Sequence, residues 1–118
     1  MSLEVKSFDA PDDVRQFSNA TVKLVDLAEG PVGHATYEPG WRWSTDVKPV
    51  VGTESCQMLH VGYVVSGRLK VVADDGSSVE IGPGDVFRLA PGHDAWTKGD
   101  EACVLIDFGG LRADAAPH

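Results

Sequence analysis

Cysteine is scarce in this chain: two among 118 residues, Cys56 and Cys103. Two thiols cannot build a disulfide scaffold, and in a reducing compartment both are expected to be free. Nowhere does the sequence approach the ~20 consecutive apolar residues of a membrane-spanning helix. The first six residues lack the basic start and apolar run of a secretory signal, so the expected address is cytoplasmic. Basic residues are also few, with 10 Lys and Arg against 18 Asp and Glu and a formal net charge of −8. That balance argues against nucleic acid or an anionic membrane as a partner. A nucleophile elbow, a phosphate loop, a basic patch and internal repeats are all lacking, which removes serine hydrolase, kinase and nucleotide-binding readings.

Turn formers, by contrast, are plentiful: 13 Gly and 7 Pro, well above the average share. They punctuate short runs of alternating apolar and polar residues from about residue 20 onward. The runs fall at 21–27, 32–38, 41–47, 55–65, 69–73, 79–81, 86–89, 94–97 and 102–108. Asp74-Asp75-Gly76-Ser77 marks a hairpin, because Asp-Gly tolerates the positive φ of tight turns. Gly82-Pro83-Gly84-Asp85 and Ala90-Pro91-Gly92 mark two further turns. Nine short strands with no helix long enough for a parallel crossover predict an all-β sandwich or barrel. One domain is expected, as an N-terminal arm over 1–19, a barrel over 20–110 and a frayed tail over 111–118. Residues 3–8 alternate enough to form an extra strand.

Three stretches carry a family likeness: Val61-Gly62-Tyr63-Val64-Val65-Ser66-Gly67-Arg68-Leu69, the Gly82-Pro83-Gly84-Asp85 turn, and Ala90-Pro91-Gly92-His93. Together they resemble the cupin superfamily over residues 33–108. The resemblance implies a double-stranded β-helix, the small jelly-roll barrel. It also implies homodimers, through an outer sheet or an exchanged N-terminal strand. Cupins usually carry metal ligands as His, any residue, His, three or four residues, Glu, six residues, Gly, with one more His after the later Pro-Gly turn. Aligned on Gly67, those places hold Glu54, Cys56 and His60; counted from Gly92, the last holds Ala95. The chain departs from the usual set at every position.

The substitutes are still chemically apt. Glu54, Cys56, Met58 and His60 share one parity, so a regular strand would turn all four to one side. His93 shares parity with Ala95 on a later strand. If the family positions hold, Cys56, His60 and His93 converge in the barrel, with Glu54 at the rim. A thiolate and two imidazoles suit zinc, and nickel, copper or iron can use the same donors. Trp41 and Trp43, with Met58 and Ala95, are candidate pocket walls for a small-molecule ligand. The residues leave three readings open. One is a small-molecule-binding cupin, with or without a divalent metal. The second is a small metalloenzyme (oxygenase, isomerase or lyase) acting on a small organic acid or ring. The third is a structural or interaction cupin with a filled interior.

Overall fold

The structure, a computed structural model, describes residues 3–108. Nine strands occur in that span: β1 (Asp13–Phe17), β2 (Ala20–Leu27), β3 (Gly30–Tyr37), β4 (His60–Ser66), β5 (Arg68–Ala73), β6 (Ser78–Ile81), β7 (Val86–Leu89), β8 (His93–Lys98) and β9 (Cys103–Asp107). Every pairing is antiparallel. Six strands form one sheet in the order β1-β2-β3-β9-β4-β7, and three form a second in the order β6-β5-β8. This is the expected all-β, two-sheet architecture.

Alternation decides which side of each strand is buried. Ala35 of β3, Val64 of β4, Phe87 of β7 and Leu105 of β9 face inward from the larger sheet. Leu69 and Val71 of β5, Ile81 of β6 and Ala95 of β8 meet them from the smaller one. Val64 and Cys103 are wholly buried at the centre. Outward residues on the same strands are exposed, among them Tyr63, Val65 and Val86. β6 and β7 are edge strands of different sheets.

Two segments differ from the sequence expectation. The run expected as a strand at 41–47 is helical, with α1 (Trp43–Asp46) and α2 (Lys48–Val51) back to back. The Asp46 carboxylate accepts from the Arg42 backbone N–H, and Asp94 accepts from that of Ser44. Pro49 stands in the opening turn of α2, where its missing N–H costs nothing. Gly52 ends the helix in the left-handed region at φ 79°. Trp41, Trp43 and Val47 drive this fold-back because it buries all three.

The other difference lies in the arm, where β1 pairs with β2. Its sequence, DVRQF, hides the strand because it is an edge whose side chains are nearly all exposed. Residues 3–8, expected as a strand, are not one. They lie against their own chain: Glu4 accepts from the Ala28 N–H, Lys6 pairs with Asp12, and the Phe8 ring meets His34. The tail expected to fray, 111–118, lies outside the described residues. No helix among the described residues is long and apolar enough to cross a membrane.

Candidate metal centre

The centre starts with backbone, not side chains. The Cys56 N–H donates to the His93 carbonyl at 2.7 Å, and the Cys56 carbonyl accepts from Gly92 at 2.7 Å and from His93 at 3.2 Å. An isolated bridge thus ties residue 56 to the first residue of β8. Residues 57–59 belong to no strand, and β4 begins only at His60. The regular strand assumed across 54–60 is therefore absent. Its two relevant members still face inward, because the bridge holds Cys56 and the β4 ladder holds His60.

Three donor atoms meet there. The Cys56 Sγ, one ring nitrogen of His60 and one of His93 all lie within 4.8 Å of one another. Cys56 and His93 are buried, at 6% and 4% exposure. The sulfur is 3.5 Å from the His60 Nε2, and the two imidazoles meet edge-on with centroids 5.4 Å apart. Neighbours set the ring tautomers. The His93 Nδ1 lies 2.7 Å from the Ala90 carbonyl. A carbonyl only accepts, so Nδ1 carries the proton and Nε2 is left for the centre. The His60 Nδ1 lies 2.5 Å from the Asp107 carboxylate, which likewise assigns the proton to Nδ1 and turns Nε2 toward Cys56.

The donor types suit a metal, and one pair already has the spacing a metal needs. A tetrahedral zinc ion with bonds of about 2.3 Å to sulfur and about 2.05 Å to nitrogen separates those two atoms by about 3.5 Å. The Cys56–His60 separation is that same 3.5 Å. Each histidine has its second nitrogen anchored, as metal-binding imidazoles require.

Without a metal the group is an ion pair. Burial pushes the Cys56 thiol up, but hydrogen bonding with His60 and His93 outweighs it and brings the thiol down to about 6. Burial likewise opposes a charged His60, yet Asp107 and the Cys56 sulfur outweigh it and raise the imidazolium to about 10. At neutral pH the pair is thiolate and imidazolium, with His60 donating to sulfur.

The remaining sequence candidates are placed otherwise. The Glu54 side chain is 95% exposed and its carboxylate meets the Lys48 Nζ at 3.0 Å, so it turns away from the three donors. The reason is the irregular backbone before residue 56, which breaks the parity that would have carried Glu54 inward. Met58 is 59% exposed because residues 57–59, between the Cys56 bridge and β4, form no strand. Trp41 and Trp43 are core residues, and the Trp41 ring packs on Tyr37 at 4.2 Å. Ala95 is buried and has no donor. Cys103 is wholly buried, and burial followed by the charge of Glu101 pushes its thiol up to about 12. It stands outside the three-donor group.

Space for a ligand lies elsewhere than those aromatics. A cleft of about 450 Å³ opens along the β6–β7 seam, with Val71, Ala73, Val79 and Leu89 as apolar walls, Arg88 at the side and His93 among its lining residues. His93 therefore borders both the cleft and the donor group. Sequence reading missed two neighbours. Asp107 is one. The other is Tyr37, whose phenol is held above its ordinary range by burial and then by Asp107 and the two sulfurs.

The ion pair has a pH signature. In metal-free protein the ultraviolet thiolate absorbance of Cys56 should appear in a step centred near pH 6, and Cys56→Ala should remove that step. A first thiolate step only above pH 8, the ordinary range, would contradict the pair.

Comparison with known proteins follows the same lines. The family model of the EutQ-like cupin domain matches residues 36–104. Among solved structures, a protein of unknown function from Rhizobium leguminosarum bv. viciae superposes with a TM-score of 0.61 at 20% identity, covering 91% of this chain and 95% of that one. KdgF from Halomonas sp. gives 0.55 at 21% identity over 80% and 82%. A cupin-like protein from Thermotoga maritima gives 0.54 at 19% identity over 83% and 72%. At these identities the structural likeness carries the fold alone. Curated proteins yield no match. With the family match spanning more than half of its length and the barrel in place, the chain belongs to the EutQ-like cupin domain family.

Proposed function

We propose that this cupin binds a small molecule in the seam cleft, beside one divalent metal ion held by Cys56, His60 and His93. The observation that carries the reading is the meeting of three buried or half-buried donor atoms within 4.8 Å. A thiolate and two imidazole nitrogens favour zinc, ahead of nickel, copper or iron. Three protein donors leave a fourth position of a tetrahedral ion for water or a ligand, the arrangement of catalytic rather than structural zinc. When bound, the ion supplies Lewis acidity toward that water or a ligand oxygen. The protein's share is to present Nε2 from both rings, to exclude bulk water by burial and to hold the ligand against the apolar walls of the cleft.

Its bordering cleft supports an open ligand site over a filled, purely structural barrel. A metalloenzyme acting on a small organic acid is the more specific form of the same reading. Arg88, which has no ion-pair partner among the described residues, would face the acid. A homodimer joined through the exposed Tyr63, Val65 and Val86 completes the proposal. Light scattering would then return twice 12.6 kDa, and 12.6 kDa itself would exclude the dimer.

Elemental analysis of untagged protein, purified without chelator, tests the metal. About one ion per chain is expected for the native sequence. Cys56→Ala and His60→Ala should lose it, whereas Glu54→Ala should keep it in full. Undiminished metal in both of the first two variants would overturn the assignment.

A further inference from the structure

Asp107 ends β9 and faces inward, in step with the buried Cys103 and Leu105. Both residues directly opposite it on the flanking strands are glycines, Gly33 on β3 and Gly62 on β4. A Cβ on Gly33 would only touch the Asp107 side chain, whereas a Cβ on Gly62 would strike the β9 backbone, so glycine there lets β4 approach β9 closely. A Cβ on Gly33 would lie 3.7 Å from the Asp107 Cβ, and one on Gly62 would lie 2.1 Å from the Ile106 carbonyl and 2.8 Å from the Phe87 ring. His60, two residues before Gly62 on the same inward face, brings its Nδ1 to 2.5 Å from the carboxylate. The side chains are only 23% and 21% exposed, so water competes weakly for the contact.

The two imidazoles of the centre are therefore anchored differently. His93 donates to a neutral carbonyl three residues away in its own turn, so local chain geometry enforces its orientation. His60 donates to a charged group 47 residues away in sequence, so only the closed barrel supplies its anchor. A carboxylate behind an imidazole fixes the tautomer and raises the basicity of the opposite nitrogen.

We propose that Asp107 is the positioning residue of this centre: through the Nδ1 hydrogen bond it holds His60 with Nε2 toward Cys56 and so sets the affinity for metal. The proposal rests on the metal reading above and adds a residue outside the ligand set. Asp107 bonds the ligand residue His60 and is assigned its role through that contact.

Zinc affinity, measured by competition with a chromophoric chelator, gives the test for the native chain, Asp107→Ala and Asp107→Asn. Nitrogen-15 NMR of His60 is recorded on the zinc-loaded proteins, and thermal unfolding on the metal-free ones. Loss of the second anchor should weaken zinc binding by roughly 10–100-fold in Asp107→Ala. Asp107→Asn, near-isosteric and still able to accept through its amide oxygen, should fall between. The His60 spectrum should show Nδ1–H with Nε2 bound in the native chain and a mixture of ring states in Asp107→Ala. Leu105→Ala, a core truncation on the same strand, should lower the unfolding temperature without a comparable loss of zinc affinity. If Asp107→Ala is too unstable to study, Asp107→Asn decides alone by weaker binding than the native chain. Equal affinity and an unchanged His60 spectrum in a folded Asp107 variant would overturn the proposal while leaving the metal reading intact. An affinity loss that Leu105→Ala reproduces at the same destabilisation would overturn it too. Failure of the native chain to take up zinc at all would end both.

Discussion

The bridge between residue 56 and the start of β8 is the constraint on which the centre depends. Three main-chain hydrogen bonds join Cys56 to Gly92 and His93, and they place a thiol from an irregular segment against a histidine of the smaller sheet. The third donor comes from β4, in the larger sheet. The centre therefore spans both layers, and its geometry is a property of the folded barrel rather than of any one segment. A net hydrogen-bond contribution of about 1 kcal/mol each is modest. Their effect on placement is larger, because a buried thiol and two rings have little freedom left once their backbones are fixed.

Charge complements this geometry. A buried thiolate would be costly alone, and so would a buried imidazolium. Side by side, with the Asp107 carboxylate behind the ring, each makes the other's charged state favourable. Such a group is poised for a divalent ion: the sulfur is already ionised, and the ring gives up one proton as metal binds. The acidic character of the chain, at −8, adds a weak, salt-screened pull on cations.

Much of the architecture was legible in the primary structure because turns are chemically explicit. The Asp-Gly hairpin, the Gly-Pro-Gly-Asp turn and the Pro-Gly turn bound β5 to β8 within a residue or two. Where polarity misled, burial explains it. β1 is an edge that buries almost nothing, so no alternation betrays it, and the tryptophan-rich segment buries its rings as a pair of helical turns instead of a strand. The donor trio was anticipated by parity through a strand that does not exist. Cys56 and His60 meet because both ends of that segment are tied down, while Met58 and Glu54 between and before them go to solvent. Asp107 was not anticipated, because the two faces of β9 both carry apolar residues. Its partner His60 lies on β4, and their meeting follows only from knowing that β4 pairs with β9.

The central claim is that sulfur and two imidazoles share one ion inside the barrel, and X-ray absorption at the metal edge reads that directly. Protein reconstituted with one equivalent of zinc should show a single sulfur at about 2.3 Å, nitrogen or oxygen scatterers at about 2.0–2.1 Å, and outer-shell scattering from two imidazole rings. A shell made only of light atoms, with no sulfur, would place the ion elsewhere and contradict the account.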